Sequence, residues 1–229
     1  MSTHKQTKST QVLEKMRSDI LQGLFRPKEK LSMALLKEKY QVGYSPLREA
    51  LANLAAIGLV IFKDQCGFYV APLSLDEMQD LYQTRILIET QALSLAIEHG
   101  DDTWEANILA CWHRYTKFLR QVELKPLALT SWDTFEKEFS NTLLSACQST
   151  WLLRLQNILY DNTARYRYLC MNNNLNDQTV IFNYIQQNDE LVKATLNRNL
   201  IQAITLFRDS FQSSLEIMTE KLTTMWVIA

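Results

Sequence analysis

Glycine and proline are scarce in this sequence, five and four among 229 residues. Turn punctuation is thin, above all beyond residue 72, so long helices are expected there. The sequence has no P-loop, no GxSxG elbow, no glycine fingerprint after a strand and no HExxH pair. These absences argue against an enzyme. Cys66, Cys111, Cys147 and Cys170 are widely spaced and form no CxxC pair, which suggests neither a zinc motif nor a disulfide framework. A reducing cytoplasm is the simplest setting. No run approaches the roughly 20 apolar residues of a membrane span. The first fifteen residues are polar and lack an apolar h-region, so no secretory signal is expected. Histidine is also rare: His4, His99 and His113 are all there are, and none follows residue 113.

What is present is an uneven charge. Residues 1–72 hold 11 Lys and Arg against 6 Asp and Glu, a surplus of five positive charges. Residues 73–229 hold 13 against 19, a surplus of six negative ones, so a net charge of −1 hides two different halves. A basic first third on an acidic remainder suits a nucleic-acid-binding module joined to a domain with another job. A merely solvated surface would give the same count.

The first 72 residues read as helix, helix, helix, hairpin. Thr10 to Gln22 carries Val12, Met16, Ile20 and Leu24 at helical intervals, and Gly23 stops it. A charged turn, Arg26 to Lys30, leads to a short second helix ending near Tyr40, with Ser32 as its cap. In Tyr44-Ser45-Pro46-Leu47-Arg48-Glu49-Ala50-Leu51, Ser45 is the expected N-cap and Pro46 the first helical residue. Leu47, Leu51, Leu54 and Ile57 then define one buried face, and Arg48 points off it. Leu59 to Phe62 and Phe68 to Ala71 read as two strands around a turn at Lys63–Gly67. Three helices closed by a two-strand hairpin make a winged helix-turn-helix. Arg48 would stand at the N-terminal end of its recognition helix, where an arginine can grip guanine or a phosphate. Lys28, Lys30 and Lys63 would supply charge along the DNA backbone.

Residues 73–229 read as almost entirely helical. Ser74-Leu75-Asp76-Glu77 has the form of a capping box. Helices are expected near 74–99, 102–122, 129–147, 149–172, 178–196 and 198–222. The breaks fall at His99–Asp102, Lys125-Pro126, Gln148-Ser149 and the polar run Met171–Asp177. Six such helices form an antiparallel bundle, whose interior is a natural place for a ligand. The fold class is therefore mainly α: a winged helix-turn-helix over 1–72 and an all-helical bundle over 73–229. Trp112, Trp132 and Trp151 are expected in the core or a dimer interface.

Val12 through Gly23, Lys30-Leu31, Ser45 through Leu51, Leu54, Gly58-Leu59-Val60 and Gly67-Phe68-Tyr69-Val70 together resemble the N-terminal domain of GntR-type bacterial transcription regulators. Asp80 through Glu89 is similar to the start of the helical FCD effector domain of the FadR-like subgroup. Met33 to Leu36, the Gly-Tyr-Ser-Pro-Leu-Arg segment and Ala164–Tyr168 are most similar to regulators of the carbon-starvation type. The resemblance implies a homodimeric repressor or activator, with a repressor the expectation here. It would bind double-stranded palindromic operator DNA under the control of a small carboxylic acid in the helical domain. Two positions depart from the family pattern. Tyr44 stands where a DNA-contacting arginine is usual, and Ala34 takes the place of another. Arg48 and the wing glycine, Gly67, remain.

Many FCD domains hold a divalent metal with an acid, a histidine four residues later and two further histidines. Aligned on that pattern, this sequence offers Glu136, Ser140, Asn188 and Ser210. One carboxylate, two hydroxyls and an amide make a poor transition-metal site, so no bound metal and no other cofactor is expected. Arg85 interrupts the apolar stripe of Leu81, Ile88 and Ala92, and a buried arginine must be paired. Its partner is Glu89 one turn on, Glu136, or a ligand carboxylate held through a bidentate pair. Arg165 or Arg167 could hold a second carboxylate. The other class of function open at this point is a metabolite- or partner-binding helical bundle with a vestigial winged helix.

Overall fold

The computed structural model describes residues 8–121, 126–174 and 178–228; His4 and Lys125 lie outside them, as does the side chain of Cys170. Two compact units divide at Ser74 and Leu75.

The first unit holds helices α1 (Lys8–Leu21), α2 (Met33–Tyr40) and α3 (Tyr44–Ala56), then strands β1 (Val60–Lys63) and β2 (Gly67–Val70). α1 buries Val12, Met16 and Ile20, one per turn, against Leu47, Leu51 and Leu54 of α3. Gly23 ends α1 at φ +78: its N–H donates to the Ile20 carbonyl and that of Leu24 to the Asp19 carbonyl. This paired closure is a Schellman stop, for which glycine is suited. Leu24, expected on the buried stripe, lies beyond the stop and is exposed. The α3 boundary also differs from expectation. Gly43 is the N-cap and Tyr44 the first helical residue, so Ser45 lies inside the first turn rather than capping it. Pro46, now third in the helix, is still among the residues whose N–H has no intrahelical acceptor.

The wing strands pair antiparallel, Val60 opposite Val70 and Lys63 opposite Gly67. The chain before α2 adds to this hairpin. Val70 N–H donates to the Glu29 carbonyl (2.9 Å), Leu31 N–H donates to the Phe68 carbonyl (2.8 Å), and Lys30 lies opposite Tyr69.

The second unit is a bundle of α4 (Leu75–His99), α5 (Asp102–Gln121), α6 (Pro126–Leu144), α7 (Thr150–Asn174), α8 (Gln178–Leu196) and α9 (Leu200–Ile228). α4 packs against α7 and α9, α5 against α6, and α8 against α9 and α5. α6 opens at Pro126, earlier than expected, because proline fits a first helical position. It gives way to a 3-10 turn, Ser145–Cys147, and left-handed Gln148. The polar run expected as a connection from Met171 is helical through Asn174. α9 starts at Leu200, not 198, because Arg198 sits at φ +56, outside helical space.

One node closes the end of α4. Arg198 donates to the carbonyls of Ile97 (2.5 Å) and Gly100 (2.8 Å) and pairs with Glu105, with its guanidinium over the Trp104 ring. Gly100 lies so close beneath Trp104 that an added Cβ would stand 2.0 Å from the ring. Trp104 is fixed there by its indole N–H, which donates to the Thr142 carbonyl at 3.0 Å. No described helix is long and apolar enough to cross a membrane.

Candidate functional site

The two units offer two candidate sites. In the first unit, the buried face of α3 leaves Tyr44, Ser45, Arg48 and Glu49 exposed at its N-terminal turn. Tyr44 and Arg48 are four residues apart and share one side of the helix. α2 adds a cation that the sequence reading missed: Lys37 Nζ lies 5.0 Å from the centre of the Tyr44 ring. Ala34 is exposed on the same short helix. The turn between α2 and α3 is tight, with Gln41 left-handed at φ 54.

On the wing, Tyr69 gathers two of the expected lysines, with Lys63 Nζ at 4.9 Å and Lys30 Nζ at 6.0 Å from its ring. The β-bridge at Lys30 brings them there, and Tyr69 carried no signal in the sequence until that pairing was known. Lys28, also exposed, sits at φ 67, where its N–H donates to the Val70 carbonyl. Gly67, at φ +92, lets the turn after Lys63 close into β2, a conformation a side chain would strain.

In the second unit a cavity of about 290 Å³ opens between the helices. Arg85, Glu136, Ser140, Asn188 and Ser210, brought from four helices, all line it. Arg165 does not: it pairs with Glu77 at 2.5 Å. Arg167 lines the cavity in its stead. The signal was available, since Tyr160, Thr163 and Arg167 recur at helical spacing on one buried stripe and Arg165 lies off it. Tyr82, Trp132, Phe139, Phe207 and Phe211 supply apolar wall. Trp112 is buried in the core, its indole donating to Asp189 at 2.6 Å, whereas Trp151 is exposed.

Charge inside the cavity is tightly arranged. Arg85 Nε donates to Glu89 Oε1 at 2.7 Å, and Arg85 Nη1 donates to Thr163 Oγ1 at 3.2 Å. The Arg85 guanidinium also faces the rings of Phe211, Tyr160 and Tyr82. Burial pulls Arg85 down, but the Glu89 carboxylate outweighs it and holds the arginine above its ordinary range. Burial pushes the Glu89 carboxyl up, with Arg85 opposing. Arg167 donates to Asp133 (2.7 Å), to Thr163 Oγ1 (2.6 Å) and to the Tyr160 carbonyl (2.5 Å). Glu136 Oε2 accepts the hydroxyls of Tyr115 (2.7 Å) and Tyr184. Burial, reinforced by the Glu136 charge, raises both tyrosines well above their usual range, which keeps them protonated as donors.

The four positions aligned with a family metal do not suit one. Glu136 has one oxygen taken by two tyrosines. Ser140 Oγ accepts from Gln156 at 3.3 Å, Ser210 Oγ donates to the Phe207 carbonyl at 2.8 Å, and Asn188 Nδ2 donates to the Tyr184 carbonyl at 2.9 Å. No imidazole is among them, and a borderline-soft transition metal is poorly served by hydroxyls and an amide.

Comparison with known proteins gives a consistent picture. The model of bacterial regulatory proteins of the gntR family matches residues 8–70, and that of the FCD domain matches residues 80–213. The chain is similar to the HTH-type transcriptional repressor GlaR of Escherichia coli (strain K12), 33% identical over 90% of this chain and 94% of that protein. It is also similar to the HTH-type transcriptional regulator BphR of Paraburkholderia xenovorans (strain LB400), 38% identical over 68% of this chain and 64% of that protein. Among solved structures, E. coli McbR/YncC shares the fold with a TM-score of 0.75 at 14% identity, covering 95% of this chain and 99% of its own. A GntR regulator from Rhodococcus sp. RHA1 shares it with a TM-score of 0.69 at 19% identity, covering 94% and 99% of the two chains.

Proposed function

This chain belongs to the gntR family of bacterial regulatory proteins and carries an FCD domain; on that premise we propose that it is a repressor released from its operator by a small carboxylic acid bound in the helical unit. The observation that carries the effector half of this reading is the cavity, where the polar side chains of Arg85, Glu136, Ser140, Asn188 and Ser210 converge from four helices. A concave, mostly apolar space with a few convergent polar groups is the usual form of a small-molecule site. The effector binds without a metal, because the donor set at Glu136, Ser140, Asn188 and Ser210 is unsuited to one.

Operator binding falls to the exposed first turn of α3, with Arg48 reading a base edge and Tyr44 and Ser45 beside it. Lys28, Lys30 and Lys63 on the wing hold phosphates. The working form is a cytoplasmic homodimer, two-fold symmetry matching two operator half-sites. Trp151, Leu155 and Ile158, an exposed apolar stripe at helical spacing on α7, suit a second copy of this chain.

A mobility-shift titration with the DNA upstream of the protein's own gene tests this reading. Binding weakens steeply with salt, and Arg48→Ala costs about 1–3 kcal/mol and relaxes sequence preference. Equal binding by wild type and Arg48→Ala would remove Arg48 from the interface.

A further inference from the structure

The charges of the cavity do not cancel. Arg85 is paired with Glu89, and Arg167 with Asp133. Glu136 is left over. Among the described residues it makes no ion pair, and its polar partners are the neutral hydroxyls of Tyr115 and Tyr184. The cations nearest in sequence are committed elsewhere, Lys137 to Asp161 at 2.8 Å and, across from α6, Arg114 to Glu138 at 2.5 Å. Counting Asp133 with its partner, these five charges leave one negative charge over, in a wall that mixes apolar and aromatic side chains with neutral polar ones.

The same wall has donors with nothing to donate to. The indole N–H of Trp132 and the Nε–H of Arg167 are buried without a hydrogen-bond acceptor. Both residues line the cavity, Trp132 at 4% exposure and Arg167 at 7%. Buried donors are almost always satisfied, and those that are not call for an explanation. A ligand acceptor at this wall is one, and an uncompensated carboxylate calls equally for a cation.

We propose that the effector is an amino acid, its ammonium group facing Glu136 and its carboxylate accepting from Trp132 Nε1 and Arg167 Nε. This deepens the reading of the cavity as the effector site and rests on it. A plain hydroxy acid satisfies the two donors but leaves Glu136 without a counter-charge. A dicarboxylate sets a second negative charge near the first. An ammonium and a carboxylate on one carbon answer both deficits at once.

The test is calorimetric titration of the full-length protein in EDTA with matched pairs. Each amino acid is compared with the acid in which a hydroxyl replaces the ammonium: alanine with lactate, aspartate with malate, glutamate with 2-hydroxyglutarate, phenylalanine with phenyllactate. Succinate serves as the diacid. The expected result is that at least one amino acid binds roughly 10- to 100-fold tighter than its partner, the worth of one charge-assisted hydrogen bond. Glu136→Gln, which keeps an acceptor for the two tyrosines, then removes that preference. Tighter or equal binding of the hydroxy acids or of succinate overturns the amino-acid assignment while leaving acid-controlled operator release intact. Binding by no member of the panel overturns both. Should Glu136→Gln fail to fold, the wild-type ratios decide the matter alone.

Discussion

Replacing Glu89 with leucine should be among the most damaging single changes in the helical unit. The pair it breaks is almost fully enclosed, with the side chains of Arg85 and Glu89 at 5% and 0% exposure. Removing one partner of a buried pair costs about 3–5 kcal/mol, because the survivor keeps its charge and loses its counter-charge. Arg85 retains Thr163 and three aromatic faces, which places the loss toward the lower end of that range. In a domain of this size each kcal/mol lowers Tm by about 2–4 °C, so Glu89→Leu should melt roughly 6–12 °C below wild type. The double variant Arg85→Met/Glu89→Leu removes both charges and should recover most of the loss, since an apolar replacement of a buried pair is often neutral. Arg85→Met alone should depend on pH. Burial already pushes Glu89 up, so without Arg85 the folded state holds a proton that the unfolded state releases. Stability of that variant therefore falls as pH rises above the ordinary carboxylate range, while Glu89→Leu changes little over the same span. Urea denaturation of the four proteins across that range measures the cycle. A double variant no more stable than Glu89→Leu would refute the reasoning, because the damage would then come from lost volume and not from unpaired charge.

Two further outcomes follow from the geometry. Gly100→Ala places a methyl carbon against the Trp104 ring, which is held by its own hydrogen bond. It should cost about 1–3 kcal/mol in thermal denaturation, and an unchanged Tm would mean that Trp104 moves freely. Lys30→Ala and Lys63→Ala should each reduce the salt slope of operator binding by about one while leaving sequence preference alone, and a change in preference would make either lysine a base reader.

Much of the fold could be read from spacing, because α1 and α3 show their buried faces as one apolar residue per turn. Boundaries were harder. Ser45-Pro46 carries the expected signature of a helix start, yet the helix begins at Tyr44, since proline is tolerated throughout the first turn and glycine also caps. The cavity was legible in outline through Arg85, an arginine on an apolar stripe. Its chemistry was not. Periodicity could not rank Glu89 against Glu136 or a ligand as the partner of Arg85. Nor could it show that Glu136 lies among tyrosines from α5 and α8, residues 21 and 48 positions away. Such facts belong to tertiary contacts between helices, and no local pattern encodes them.

The turn of α7 that holds Arg165, Tyr166 and Arg167 has a mechanical meaning. Arg165 and Tyr166 grip Glu77, in the first turn of α4 and three residues past Ser74, the last residue of the winged unit. Arg167, one peptide bond further, lines the cavity and reaches Asp133. A helical turn is stiff on this scale, so these neighbours cannot be moved separately. An occupant that displaced Arg167 would therefore pull on the grip at Glu77 as well. One short backbone unit thus ties the cavity-lining Arg167 to the start of α4, next to the point where the winged unit joins the helical one.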